Sequence, residues 1–316
     1  MDTTPLDNPK IAVLIPCYQE EKTIAKVVRD FLNVLPTAEI YVYDNNSTDK
    51  TAELAQASGA IVVREKRQGK GFVVISMFEQ IDADAYIMVD GDDTYDPSYA
   101  TKLLEPILKD EADMTVGCRL SRYDNKSFRN FHIFGNQFIC FIINKMFGSN
   151  ITDIFSGYRA FGRNAVKTIP LTCAGFDVET EMTLQALQRG FVIKEFSTPY
   201  GVRPEGSFSK LSTLKDGTKV LVKLFKMLQS YKPLTFFGIF GLLFFVSSLL
   251  VGSVPIYEYI VDQNVLSVPK SILAASLMVI SVLSGCLGVI LNSINLRTME
   301  MEQLIIKRTR KNPLEK

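Results

Sequence analysis

Short apolar runs alternate with amphipathic stretches through the first third of the chain. Ile11–Ile15 is uninterrupted and apolar, and Pro16 closes it, the pattern of a strand buried on both faces. Glu20–Leu35 follows, with Ile24, Val27, Val28, Phe31 and Leu32 at helical spacing. Ile40–Tyr43 predicts a second strand. Thr48–Ala57 predicts a helix that Ser47 or Thr48 caps and Gly59 ends. Ile61–Arg64, Tyr86–Val89 and Met114–Gly117 read as further strands, separated by helices over Gly71–Ile81 and Pro97–Leu108. This βαβα alternation predicts a parallel, doubly wound α/β sheet. In such sheets ligands sit beyond the carboxyl ends of the strands.

The last third has a different pattern. No charged residue lies between Lys232 and Glu258, nor between Lys270 and Arg297. Each gap is about 25 residues, and about 20 apolar residues cross the hydrocarbon core as a helix. A pair of buried core helices would rarely avoid charge for so long. Lys215, Lys219, Lys223, Lys226 and Lys232 precede the first span, and Arg297, Lys307, Arg308, Arg310 and Lys311 follow the second. The positive-inside rule then gives a hairpin with both ends cytoplasmic. The expected organisation is a cytoplasmic α/β domain over 1–210, spans over about 233–257 and 271–296, and a basic cytoplasmic tail over 297–316. Between domain and spans, residues 211–232 carry Val220, Leu221, Leu224, Phe225 and Leu228 at helical spacing beside the lysines, which suits an interfacial helix or a plain connector. Met1–Lys10 has no basic start and apolar run of a signal peptide, in keeping with a domain on the cytoplasmic side.

Composition sharpens this division. The formal net charge of the 316 residues is only +1, which gives no global reason to expect nucleic-acid binding. That average hides a split: residues 1–210 carry 23 basic and 28 acidic side chains, and residues 211–316 carry 12 and 6. The five cysteines form no C-x-x-C pair, and with His132 as the single histidine they make no zinc-ligand set. Reduced thiols are the expectation.

The chemistry concentrates after the strands. Pro16-Cys17-Tyr18-Gln19-Glu20 follows the first strand and Asp44-Asn45-Asn46-Ser47-Thr48-Asp49 the second. Gln68-Gly69-Lys70-Gly71 follows the third, and Asp90-Gly91-Asp92-Asp93 the fourth. One carboxylate at a strand end is often a helix cap, but capping does not explain four such segments in register. Asp90 and Asp92, delivered to the sheet edge by a buried strand, can face a hard divalent cation and leave sites for phosphate oxygens. Gly69-Lys70-Gly71 does not match the P-loop pattern, and the G-x-G-x-x-G dinucleotide fingerprint is absent.

Together these segments resemble glycosyltransferase family 2. The resemblance rests on I-P-x-Y-x-E (Ile15 to Glu20), Y-D-N-N-S-T-D (Tyr43 to Asp49), G-K-G (Gly69 to Gly71) and V-D-G-D (Val89 to Asp92). It continues through G-C-R (Gly117 to Arg119) and T-D-I-F-S-G-Y-R (Thr152 to Arg159). With the C-terminal hairpin it is similar to the polyprenyl-phosphate branch, including dolichol-phosphate mannose synthases and bacterial undecaprenyl-phosphate sugar transferases. The resemblance implies a GT-A domain and inverting transfer from a nucleotide sugar, with UDP the favoured carrier by analogy, to a lipid phosphate in the membrane. Pro16, Tyr18, Glu20 and Asp44 would border the nucleoside, and Lys70 the diphosphate. Asp90, Gly91 and Asp92 would hold the donor with Mg²⁺ or Mn²⁺.

An acceptor that is already a phosphate anion needs positioned cations more than a general base. Arg119, Arg129, Arg159, Arg203 and Lys210 are the candidates, with plain surface solvation the alternative for each. Asp153 matches the family's acidic T-D-x-x-S-G position and would orient the acceptor, act as base, or cap a turn. Glu181 matches a family glutamate that would orient an arginine. Phe131–Phe147 reads as an amphipathic helix near the bilayer or as ordinary core. The Arg203–Lys210 loop would close over bound donor. Relatives in that branch imply membrane-packed homo-oligomers. Processive synthases are a weak rival, because their Q-x-x-R-W motif needs a tryptophan and this chain has none. A nucleotidyltransferase, a transferase to another membrane lipid and a non-catalytic nucleotide-sugar binding module are the remaining alternatives.

Overall fold

The computed structural model describes residues 9–119, 128–172, 175, 178–201, 225–226 and 228–309, with the side chains of 120–134, 302–303 and 305–309 outside the description. The chain divides into two compact units, Met1–Leu211 and Ser212–Lys316.

The first unit is built on strands β1 (Ile11–Cys17), β2 (Glu39–Asp44), β3 (Ile61–Arg64), β4 (Ala85–Met88), β5 (Met114–Cys118), β6 (Arg159–Gly162) and β7 (Ile193–Ser197). Its helices are α1 (Ile24–Val34), α2 (Thr51–Ala57), α3 (Lys70–Gln80), α4 (Ala100–Leu108), α5 (Phe128–Phe147), α6 (Arg163–Thr168) and α7 (Val178–Gln188). The sheet order is β3-β2-β1-β4-β6-β5-β7. Apolar strands β1 and β4 lie at its centre, and their side chains are buried on both faces, as helices on both sides of a sheet require. One layer of core joins Val13, Ile15, Phe31 and Leu103, and the other joins Leu14, Met77, Met88 and Phe161.

The sheet is not wholly parallel as the alternation implies. β6 runs antiparallel to both β4 and β5, with Arg159 opposite Met88 on one side and Val116 on the other. Four residues that open on an arginine carry no strand period, so the pattern gives no sign of it. The reversal has a positional consequence. The chain enters β6 at the carboxyl ends of β4 and β5, so the segment before it, Asp153–Gly157, lies at the edge where the other strands finish. Helix α2 also differs in detail, because the Thr51 N–H is taken by Asp49 Oδ1 (3.0 Å) and not by Ser47 or Thr48. Gly59 follows it with φ +99°, a backbone setting that suits glycine.

Helix α5 is amphipathic: Ile139, Cys140 and Ile143 are buried, while Phe138 and Phe141 are exposed. The polar residues that interrupt its apolar pattern are its attachments. Asn136 Nδ2 donates to Thr152 O (2.9 Å), and Asn144 Oδ1 accepts from Ile151 N (2.8 Å).

The second unit contains α8 (Pro233–Asp262) and α9 (Val268–Thr309), which pair antiparallel. Both are long and apolar enough to cross a bilayer. They approach closely where residues are small. Ser248 Oγ donates to Ala274 O and Ser281 Oγ to Gly241 O, each at 2.8 Å, while a Cβ on Gly241 would stand 3.2 Å from Ser281 O. Leu242, Leu250 and Leu283 point outward. The lysine-rich helix expected over 211–232 lies for the most part outside the described residues.

Phe31 packs edge-on to Tyr158 and is fully buried. Phe31→Ala should destabilise the first unit by about 3–5 kcal/mol, read as an earlier midpoint in urea unfolding of the full chain in detergent.

Candidate functional site

The carboxyl ends of β1, β2 and β4 converge on one edge, and their loops are laced together by hydrogen bonds. Gln19 adopts φ +58° and donates its N–H to Ser47 Oγ (2.9 Å), while Glu20 N–H donates to Thr51 Oγ1 (2.8 Å). The Pro16–Glu20 segment and the turn after β2 therefore form one wall, with Tyr18 exposed on it. Asp44 is buried at the end of β2, and its carboxylate accepts the Ser47 N–H at 3.2 and 3.3 Å. Asn45 fixes the approach to α3. Its Nδ2 donates to Glu65 O (3.1 Å) and Arg67 O (2.7 Å), and its Oδ1 accepts from Gly69 N (2.7 Å). Gly69 has φ +139°, so the turn into α3 needs glycine there.

That turn delivers Lys70 into a buried charge cluster. Lys70 Nζ lies 2.5 Å from Asp90 Oδ1 and 2.5 Å from Glu179 Oε1. Burial alone would lower the lysine's pKa, but the charges of Asp90 and Glu179 hold it well above its usual range. Glu179 sits in the first turn of α7, and its Oε2 is buried without a hydrogen-bond partner among the described residues. Asp90 is more open, with a side chain 28% exposed. Its neighbours are shaped around it: a Cβ on Gly157 would stand 2.5 Å from Asp90 Oδ2, and a Cβ on Gly91 would stand 2.6 Å from Cys17 Sγ. Gly91 O also accepts from Thr23 Oγ1 at 2.6 Å. Asp92 is only 2% exposed, and its Oδ1 accepts from the Thr94 hydroxyl (2.5 Å) and N–H (3.2 Å), which fixes its orientation.

Across the edge, Arg119 leaves the end of β5 and is gripped by Asp153. Nε donates to Oδ2 and Nη2 to Oδ1, both at 2.8 Å, and the Arg119 N–H donates to Oδ2 at 3.2 Å. The guanidinium also lies over the Tyr200 ring, 5.5 Å from its centroid. Burial alone would raise the Asp153 pKa, but the Arg119 charge and hydrogen bonds hold it below the usual carboxylate range. The pairing with Arg119 is a role outside those expected of Asp153, while its Oδ1 also accepts the Phe155 N–H (3.2 Å), the contact that a turn cap would make. Glu195 on β7 fastens the corner by accepting from Thr152 N (2.8 Å) and Thr152 Oγ1 (2.6 Å). Tyr95 Oη accepts from Gly157 N (3.0 Å), and its ring packs on Tyr158 and Tyr200. The turn after Asp92 is thereby joined to the Arg119 side, as is Gly201, whose N–H donates to Thr94 O at 2.7 Å.

Arg159 is employed elsewhere than expected. Arg159 is fully buried and donates from Nε to Ser156 O, from Nη2 to Ile154 O and from Nη1 to Thr183 Oγ1, each at 2.8 Å. At the head of antiparallel β6 it supports the Asp153–Gly157 loop from beneath and does not face an acceptor. Glu181 accepts from Thr172 N (3.0 Å) and Thr172 Oγ1 (2.6 Å), and it is Glu179, two residues earlier, that reaches the cluster. Arg203 and Lys210 lie outside the described residues, as does the side chain of Arg129. Asn45, Gly157 and Glu179 were not singled out by the sequence. The one signal for Glu179 is a pair of acidic residues at the start of a helix that is buried along most of its length.

Among the described residues, no group of three His, Cys, Asp or Glu side chains could hold a metal by itself. Asp90 and Asp92 are hard oxygen donors one residue apart, one open and one pre-oriented, and Gly157 lets the Asp90 carboxylate lie where a Cβ would otherwise stand. This donor set fits a hard divalent cation that completes its shell with phosphate oxygens.

Residues 12–169 match the family model described as glycosyl transferase family 2. Glycosyltransferase AglJ of Haloferax volcanii is 35% identical over 256 residues, covering 79% of this chain and 82% of that protein. Dolichol-phosphate mannosyltransferase of Pyrococcus furiosus is 26% identical over 288 residues, covering 87% of this chain and 78% of that protein. The fold matches crystalline glucosyl-3-phosphoglycerate synthase of Mycobacterium tuberculosis in complex with Mn²⁺ and UDP-glucose, with a TM-score of 0.57 and 21% identity over 70% of this chain and 79% of that one.

The loop ahead of Lys70 carries a pH dependence. Hydrogen bonds from Arg67 hold the buried Glu65 carboxyl down at about 2, and Ser76 Oγ also donates to it. A depressed folded-state pKa gives stability that is present above the ordinary glutamate value of 4.5 and is lost as pH falls toward about 2. Glu65→Gln should therefore lower the Tm near neutral pH and flatten its fall between about pH 5 and pH 3, measured by thermal unfolding across that range.

Proposed function

This chain belongs to glycosyl transferase family 2 and is a glycosyltransferase, and we propose that it moves a sugar from a nucleotide diphosphate, with inversion, onto a polyprenyl phosphate at the cytoplasmic face of a membrane. The observation that carries this reading is the clamped arginine across the edge from Asp90. Arg119 is held by a bidentate carboxylate and an aromatic face, with its Nη1 edge outside that fork. A guanidinium so fixed suits a phosphate, which a fork of N–H groups can grip in one orientation. An acceptor phosphate is already a nucleophile, so the reaction needs it aligned with the anomeric carbon and needs no proton removed. The commitment of Asp153 to Arg119 agrees with that requirement. The names of relatives point the same way, since one is a dolichol-phosphate mannosyltransferase. So do the two apolar helices, which would keep the catalytic unit beside a lipid acceptor.

On the donor side, the wall made by Pro16, Tyr18, Glu20 and Asp44 would take the nucleoside, with UDP the favoured carrier. Lys70 would meet the diphosphate, and Asp90 with Asp92 would hold Mg²⁺ or Mn²⁺. When bound, such a cation supplies Lewis-acid neutralisation of the departing diphosphate. Arg203 and Lys210 remain proposed partners of the acceptor phosphate.

The full chain in detergent, given labelled nucleotide sugars and polyprenyl phosphate, should form a chloroform-soluble labelled product. EDTA should abolish it, and Mg²⁺ or Mn²⁺ should restore it. Arg119→Lys keeps the charge but loses the fork, and should cut transfer by about 10²-fold or more, with the KM for polyprenyl phosphate rising more than the KM for donor. Label found only on protein or free glycan would sink the lipid acceptor. Nucleotide sugars compared by thermal shift in the presence of Mg²⁺ would identify the donor.

A further inference from the structure

The cluster at the end of β4 contains two carboxylates and one ammonium, and its parts come from three separate elements. Asp90 follows β4, Lys70 opens α3 and Glu179 lies in the first turn of α7. Lys70 Nζ bridges the two acids at 2.5 Å from each. Glu179 is 4% exposed, and its Oε2 has no hydrogen-bond partner among the described residues. A buried carboxylate oxygen without a donor is costly, and such groups call for an account in terms of another state of the site. Glu179 is also firmly mounted, since its carbonyl accepts from Thr183 Oγ1 (3.1 Å), whose hydroxyl in turn accepts from Arg159. Asp90 is the only member with an open side.

Building on the donor reading above, we propose that Lys70 is the resident counter-ion of the donor-free site, that a divalent cation replaces it on Asp90, and that Glu179 retains the displaced ammonium. The charges favour this exchange. Lys70, Asp90 and Glu179 together carry a net −1, which adds to the carboxylate of Asp92 in attracting a cation, and the ammonium keeps one carboxylate after leaving Asp90. Without Glu179 the three residues reduce to a neutral Lys70–Asp90 pair beside Asp92, and a cation on Asp90 must take the lysine's remaining carboxylate. Without Lys70 two uncompensated carboxylates face the cation. Lys70 thus opposes cation binding until a diphosphate arrives to share its charge, and Glu179 supports binding although it need not ligate.

The test is Mn²⁺ affinity of the full chain in detergent without nucleotide, read from the electron paramagnetic resonance signal of free Mn²⁺. Lys70→Met should bind Mn²⁺ about tenfold tighter than the parent, and Glu179→Gln about tenfold weaker. Glu179→Asp, which keeps the charge, should lie nearer the parent. If Lys70→Met does not fold, Lys70→Gln takes its place with the same expected direction. A structural role alone would weaken binding in both variants or in neither. Lys70 variants that bind no tighter, or a Glu179→Gln that binds as the parent does, overturn the exchange while leaving metal-dependent transfer intact. Transfer that persists in EDTA overturns the metal reading itself and the exchange with it.

Discussion

A charge taken out of water must bring its partner along, and the first unit is arranged around that constraint. Lys70 could not remain an ammonium under the sheet edge without Asp90 and Glu179 beside it. To supply them, three elements distant in sequence must meet within hydrogen-bond reach. The turn at Gly69, the glycine at 157 and the burial of α7 follow from the same demand. Each is a backbone solution to the problem of bringing acids to a buried base.

The same rule operates across the edge. Half-buried Arg119 and buried Asp153 form a bidentate pair, and Arg159 is buried against backbone carbonyls and a threonine hydroxyl. These arginines differ in how their donors are spent. Arg159 commits its donors to the loop that carries Asp153, while Arg119 commits one edge and keeps another. Among the described residues that residual edge is what separates the two arginines, and a count of basic residues cannot show it. Reversed strand β6 is what brings the supported loop to the working edge of a sheet whose first four strands are parallel.

Much of the fold was legible in the sequence because its central strands are buried on both faces and therefore uniformly apolar. Ile11–Ile15 and Tyr86–Val89 read as strands for that reason, and the uncharged stretches after Lys232 and Lys270 read as spans for a similar one. β6 was not legible, since Arg159-Ala-Phe-Gly carries no period and its direction is set by pairing. In the site, acids and glycines beyond strand ends could be found from position. Asp90 and Lys70 were found in this way, but their direct contact was not, because it depends on how α3 meets β4. Glu179 and Glu181 are indistinguishable by composition, and the turn of α7 alone decides which of them faces the cluster. The polar interruptions at Asn136 and Asn144 in α5 had the opposite history. In sequence they mark a stretch too polar to span a bilayer, and in the fold they are its anchors to the Ile151–Ile154 corner.

Helix α7 begins beyond residue 169, where the match to the family model stops. The matched segment therefore contains the lysine and one of its acids, and the second acid belongs to the part of the chain that the family model leaves out. A chimera joined at that boundary would inherit a donor edge whose buried charge had been balanced by someone else's helix. Exchange of segments between relatives should thus respect a seam after α7, where the electrostatics close, and not the end of the family-model match at residue 169.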